Sequence, residues 1–239
     1  MYVLTIDQRG STHDEERVPE LLEVLGAYPG VRFERSVGDE VQGVLEDAAL
    51  AVDAALAALR SGRWYVGIGI GPGTLAPDAS PREGSGAAFV AARRAVERAK
   101  SAAGHVPAAV VAGSQEPEAA TACANAEAVL RLVGRLVQDR TEAQWRVVDA
   151  LREKSSGEKG SGAKGGGAAG QGGGRHGLQK LVAQDLGISE QSVSRSVLRS
   201  GWQEEWAARP ALEMLLATAH RLTLEGSGDR GGDENRGDA

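Results

Sequence analysis

Two aspartates and one helical segment carry most of the chemistry that this sequence offers. Asp7 ends an apolar run, Tyr2–Asp7 (YVLTID), that reads as a strand. Asp39 lies in a Gly-Asp turn joining two further strand-like runs, Val31–Val37 and Val41–Leu45. In a split βαβ sheet these strands are central neighbours, so both carboxylates should converge at one sheet edge. Two carboxylates side by side repel unless a proton or a cation intervenes, and Mg²⁺ prefers carboxylate and phosphate oxygens. The chemistry expected of Asp7 and Asp39 is therefore Mg²⁺ binding with a phosphorylated ligand. A Gly-Asp pair is also a common two-residue hairpin turn, which needs no ligand.

The second segment is LVAQDLGISEQSVSRSVLR, Leu181 to Arg199. Ala183, Gly187 and Val193 fall at spacings of four and six, with Leu186 and Ile188 flanking the glycine. That is the helix-turn-helix pattern: a small residue lets two helices approach, glycine supplies a positive φ, and a branched aliphatic anchors the second helix. Ser189 is a natural N-cap. With Val193 and Val197 inward, Gln191, Ser192, Ser194, Arg195 and Arg199 face outward, and these side chains hydrogen-bond to base edges and phosphates of double-stranded DNA. The alternative is a helical hairpin in an ordinary bundle with a solvated polar face. Trp145, Trp202 and Trp206 stand at helical spacing, which favours core or dimer-interface roles over stacking on bases.

The elements that must position these residues alternate in period. Glu15–Leu25 and Asp47–Leu59 read as helices, and Arg63–Gly71 as a strand. Gly86–Ala103 reads as a helix, Val106–Ala112 as a strand and Ala124–Val137 as a helix. The order β-α-β-β-α-β followed by α-β predicts an α+β, ferredoxin-like domain with an extension. Glu142–Leu151, Leu178–Leu186, Ser189–Arg199 and Trp202–Ala217 read as helices without intervening strands, predicting an all-α module. In the fourth strand Trp64, Val66, Ile68 and Ile70 alternate with Gly67, Gly69 and Gly71, leaving one face bare for a helix or a ligand.

Composition sets the outer limits. The chain has 239 residues, 41% hydrophobic and 25% charged, which excludes a wholly disordered or fibrous protein. The net charge of −6 is unevenly spread, and residues 140–224 are locally basic, which permits nucleic-acid binding without requiring it. In residues 155–177, 11 of 23 are Gly, so this segment should be a flexible tether, and residues 225–239 a disordered tail. The single cysteine, Cys123, reads as a small buried hydrophobe. No apolar run reaches the ~18–20 residues of a membrane span. MYVLTIDQRG lacks the basic and apolar stretches of a secretory signal. The expected location is the cytoplasm, and the excess of Arg over Lys, 22 to 5, suggests a GC-rich bacterial genome.

IDQRGS near the start, RSVGDEVQGVL on the hairpin, YVGIGIGPG on the fourth strand and GSGAAFVAARRAVERAK on the next helix follow the order seen in class III nucleotidyl cyclases. The chain resembles more closely still the bacterial SatD family, small proteins with a related, divergent palm-like domain. The resemblance covers roughly residues 1–110. It implies that Asp7 and Asp39 match the two metal-binding aspartates of cyclases. Arg35 stands in the place of the lysine or glutamate that reads the purine. Arg94, or Arg93, stands for the transition-state arginine, so the implied ligand site is Asp7, Arg35, Asp39 and Arg94. Val90 falls where cyclases place the asparagine that orients the ribose, and losing that positioning group implies a catalytically degenerate site.

These readings give a cyclase-like sensing domain over 1–115, a helical connector over 116–154, the tether, and a helix-turn-helix module over 178–224. The expected function is transcription regulation: a homodimeric DNA-binding protein controlled by a nucleotide-type ligand, with no membrane partner. The alternatives are an active metal-dependent nucleotidyl cyclase or related nucleotide-processing enzyme, and a palm domain that serves only to dimerise the DNA reader.

Overall fold

The computed structural model describes residues 1–10, 15–28, 30–102, 105–160 and 173–228. Within them the protein is mixed α+β, with one five-stranded sheet and eight α-helices. It divides into two compact units, residues 1–138 with 208–239, and residues 139–207. This division differs from the sequence reading at two places: residues 116–138 belong to the first unit, and so do residues from 208 onward. The central part of the expected tether, 161–172, and the tail beyond 228 lie outside the described residues.

The first unit is built on β1 (Tyr2–Gln8), β2 (Arg32–Arg35), β3 (Glu40–Leu45), β4 (Trp64–Ile70) and β5 (Ala108–Ala112), in the spatial order β2-β3-β1-β4-β5. β1 runs antiparallel to both β3 and β4, and β5 adds parallel to β4. The helices are α1 (Val18–Gly26), α2 (Ala48–Leu59), α3 (Ala87–Ser101) and α4 (Pro117–Gln138). α2 starts where expected because Asp47 caps it, its carboxylate accepting the Leu50 N–H at 3.0 Å.

Strand alternation gives the sheet two unlike faces. Tyr2, Leu4 and Ile6 of β1 share one face with Val41, Leu45, Val66, Ile68 and Ile70, all buried. α1 and α2 pack together against this side, and α2 also meets α4. The other face bears Val3, Thr5 and Asp7 opposite Gly69, Gly67 and Tyr65. There α3 lies directly on β4. A Cβ at Gly67 would collide with the backbone of Val96, and one at Gly69 with that of Ala92. The glycine-bared face is filled by a helix, which settles the choice left open by the sequence. Alanines at 88, 91, 92, 95 and 99, all buried, let the two backbones approach.

β5 is an edge strand whose polar groups are covered by side chains. Val110 N–H donates to Glu127 Oε2 at 2.9 Å, Arg98 Nη2 donates to Val110 O at 2.9 Å, and Arg131 Nε to Ala108 O at 2.8 Å. Such caps keep an edge from templating another strand.

The second unit contains α5 (Glu142–Gly160), α6 (Gly173–Leu186), α7 (Glu190–Arg199) and the start of α8 (Trp202–Gly228). α5 and α6 extend into the glycine-rich segment beyond their expected limits. Once a packed turn exists, propagation adds one hydrogen bond per residue fixed. Val147, Leu151, Val182, Ala183, Val193 and Val197 form the core of this unit. The later part of α8 belongs to the first unit, where Leu212, Leu216, Ala219 and Thr223 are buried and Arg209 pairs with Asp53. Among the described residues, no helix is long and apolar enough to cross a membrane.

Candidate nucleic-acid interface and carboxylate corner

The turn between α6 and α7 is fixed by backbone geometry. Gly187 has φ +63°, the left-handed conformation that favours glycine. Ile188 N–H donates to Ala183 O at 3.0 Å and Gly187 N–H to Gln184 O at 3.2 Å, the paired bonds of a Schellman C-cap. Ser189 then caps α7, its Oγ accepting the Ser192 N–H at 3.2 Å. The residue spacings noted in the sequence thus correspond to a helix, a tight turn and a second capped helix. α5, α6 and α7 each pack on the other two.

On α7, Val193 and Val197 are buried, Ser192 is partly buried, and Gln191, Ser194, Arg195 and Arg199 are exposed. Among the described residues, neither Arg195 nor Arg199 has an ion-pair partner. Among the described residues the α7 face therefore presents two guanidinium groups without ionic partners, with the Gln191 amide, the Ser194 hydroxyl and the exposed Leu198 beside them. Guanidinium, amide and hydroxyl groups are suited to phosphate oxygens and base edges. Trp145 is buried in this unit, whereas Trp206 is 53% exposed.

In the first unit, β1, β3 and α3 build a charged corner. Asp7 lies directly opposite Glu40 in the β1–β3 register, and Asp39 precedes Glu40 in the turn. Lys100, on the last turn of α3, places Nζ 2.9 Å from Asp7 Oδ2 and 3.0 Å from Glu97 Oε1. Burial pushes the Asp7 carboxyl above its ordinary range. Lys100 opposes that rise, and the Asp39 and Glu97 charges add to it. Glu40 is raised too, chiefly by burial, against a hydrogen bond from Ser36 and the charge of Arg93. Burial opposes the Lys100 charge, yet bonds to Asp7 and Glu97 outweigh it and raise its pKa.

The ligand set implied by the family resemblance is only partly assembled. Asp7 and Asp39 interact. Arg35 lies opposite Val41 on the other sheet face from Asp7, and pairs with Glu16. The reason is the two-residue strand period, which puts Arg35 and Glu34 on opposite sides. On α3, Arg93, Glu97 and Lys100 share one flank by their spacing, while Arg94 shares the other with Arg98, whose guanidinium reaches Val110 O over β5. Arg93, the second choice, is the arginine on the Asp7 side. Val90 is 53% exposed between the flanks.

A divalent ion fits this corner only in part. Among the described residues, no group of three His, Cys, Asp or Glu side chains converges as a metal cage. Two carboxylates hold Mg²⁺ well only when phosphate oxygens and water complete the shell. An ion reaching Asp7 must also replace the Lys100 ammonium.

Sequence reasoning missed Lys100 and Glu40 and placed Arg93 second to Arg94, although the i, i+4, i+7 spacing of Arg93, Glu97 and Lys100 signals a shared helix flank. It also missed a cluster in the second unit in which buried Arg140 and Glu205 and half-buried Arg152 gather around Trp145. Trp145 and Arg152 stand at i, i+7 on α5, but no spacing signal links either arginine to Glu205. Cys123 is buried and its thiol is pushed up to about 12, chiefly by that burial, which suits an inert core residue.

Comparison with family models, curated proteins and solved structures found no match to this chain.

Proposed function

We propose that this protein is a DNA-binding transcription regulator, in which a ferredoxin-like, palm-type unit is joined to a helix-turn-helix reader. The observation that carries this reading is the α7 face: a capped helix after a left-handed glycine turn, with Gln191, Ser194, Arg195 and Arg199 exposed and both arginines without ionic partners among the described residues. Ordinary solvated helix faces more often intersperse both signs of charge. The test is selection of duplexes from a randomised pool by the full chain. Enrichment of one sequence is expected, and no retained DNA at low salt would reject the reading.

The palm-type unit takes a nucleotide-type ligand with Mg²⁺ at Asp7 and Asp39. Support comes from the strand order β2-β3-β1-β4, from α2 crossing between β3 and β4, and from the carboxylates gathered at one corner. Lys100 on Asp7, Arg35 on the opposite sheet face and the exposed Val90 all weigh against turnover as a cyclase. The protein works as a homodimer, because one helix-turn-helix reads only a short half-site and paired half-sites match a two-fold protein. The cytoplasm, where DNA and nucleotides are both present, is its proposed location.

A further inference from the structure

We infer that Arg140 and Glu205 are positioning residues for the reading helix α7, acting on its C-terminal carbonyl end; this rests on the DNA-binding reading above. Arg140 is 6% exposed and Glu205 0% exposed. Arg140 Nε donates to Ser200 O at 2.8 Å, and Ser200 is the C-cap of α7. The last carbonyls of a helix lack intrahelical donors and carry partial negative charge, so a guanidinium is the matching partner. Ser200 is held elsewhere as well: its N–H donates to Ser196 O at 2.9 Å and its Oγ–H to Val197 O at 2.9 Å.

The same guanidinium reaches back to α8. Arg140 Nη2 lies 2.6 Å from Glu205 Oε2, and Arg152 Nη2 lies 2.7 Å from Glu205 Oε1. The Trp145 ring faces both cations, at 4.7 Å from Arg140 and 5.7 Å from Arg152. Glu205 thus has a cation near each oxygen, and Arg140 meets the end of α7 by a hydrogen bond through Nε and the α8 carboxylate by an ion pair through Nη2. A lysine ammonium has one nitrogen and cannot hold both positions.

Buried ion pairs are weak devices for stability, since well-packed apolar residues often serve as well. An apolar cluster, however, has no donor with which to fix the direction of a helix end. The bond to Ser200 O fixes the last turn of α7, which carries Arg199 and follows Arg195. Hydrogen bonds weaken steeply with lost alignment, so a small tilt of α7 removes base readout while leaving its positive charge in place.

The experiment uses the full chain and a duplex enriched by wild type, with a scrambled duplex of equal length as the non-specific probe. Glu205→Gln and Arg140→Lys should each weaken binding to the enriched duplex roughly tenfold, comparable to one mismatched base pair. Their affinity for the scrambled duplex, and its salt dependence, should stay at wild-type values. Arg140→Lys keeps the charge and carries the test should Glu205→Gln lose its helical circular dichroism. Unchanged discrimination in a folded variant overturns the inference, as does equal loss on both duplexes. Loss of the fold in both variants assigns the pair to stability alone and overturns it as well. Failure of wild type to enrich any sequence is a different result, because it removes the DNA-binding reading itself.

Discussion

Lys100 Nζ stands 2.9 Å from Asp7 Oδ2, so the carboxylate near the end of β1 is met by a cation that the chain itself supplies. The lysine gains from the pairing, and its pKa rises. The aspartate, 15% exposed against 31% for the lysine side chain, loses more hydration than the pairing returns, and its pKa rises too. The two shifts disagree about the value of the pair. Burial is greater on the aspartate side, so the net effect of the corner follows Asp7.

That asymmetry sets a pH dependence. An acid with a raised folded pKa favours folding in its protonated form. The contribution of Asp7 is therefore present below its ordinary 3.8 and lost as pH rises through the folded value. Lys100 behaves differently: its contribution is full below 10.5 and lost as pH rises through a still higher folded value. Asp7→Asn should thus leave urea stability at pH 7 within about 1 kcal/mol of wild type. It should also flatten the slope just above pH 4. A loss of several kcal/mol at pH 7 would show that the ion pair outweighs burial.

At the proposed ligand site, Mg²⁺ with ATP or GTP would have to compete with Lys100 for Asp7. Lys100→Met should strengthen Mg²⁺-nucleotide binding by up to about fivefold, the worth of a partly exposed ion pair. Asp39→Asn should weaken it by removing a charged oxygen ligand at nearly constant shape. Isothermal titration of the three proteins, with and without Mg²⁺, reads both effects. Equal affinities throughout would remove the corner as the ligand site.

The sheet was legible in the sequence because its signals are local. Period-two runs, the Gly-Asp hairpin and the alanine-rich α3 each declare themselves within a short window. The α6–turn–α7 pair was legible for the same reason, since Ala183, Gly187, Ser189 and Val193 lie within one turn-and-cap segment. What escaped depends on register and distance. Arg35 and Asp7 look like partners in sequence order, yet one strand step places them on opposite faces. Lys100 meets Asp7 only because α3 crosses β4 on its glycine face. The Arg140–Glu205 pair joins residues 65 apart, with no periodicity to reveal it.

Gly69 should be among the least replaceable residues of the sheet. A Cβ there meets the backbone of Ala92 rather than a movable side-chain tip, so α3 must shift as a body. Gly69→Ala should cost about 2 kcal/mol or more by overpacking. Gly26→Ala is the control: it ends α1 with nothing near its Cβ position, and should be neutral or stabilising by about 0.5 kcal/mol. Thermal unfolding of both variants checks the contrast, and equal melting temperatures would mean that α3 does not need the bare face.

Glu127 keeps the β5 edge closed by accepting the Val110 N–H while pairing with Arg98 and Arg131. Glu127→Ala should free that edge and promote concentration-dependent association. Light scattering across a dilution series should show larger particles than the wild-type protein forms at the same concentrations. An unchanged size distribution would show that the arginines alone suffice to block the edge.

Helix α7 carries the most direct test of the proposed DNA binding. Arg195 and Arg199 are exposed on α7 and lack ionic partners among the described residues, so their guanidinium groups are available to DNA without first breaking a bond. A contact to a base edge and a contact to a phosphate differ in what their loss changes. Removing a base contact should cost about 1–3 kcal/mol on the preferred duplex and relax specificity there. Removing a phosphate contact should weaken all sequences alike and reduce the salt slope by about 1. Arg195→Ala, nearer the N-terminal part of α7 that would enter the groove in the proposed complex, should show the first pattern, and Arg199→Ala the second. Gln191→Ala should alter which base is preferred, because a glutamine amide matches adenine. Fluorescence anisotropy over a salt series, on preferred and scrambled duplexes, separates these outcomes. Wild-type affinity and slope in the Arg195/Arg199 double variant would remove α7 as the reader.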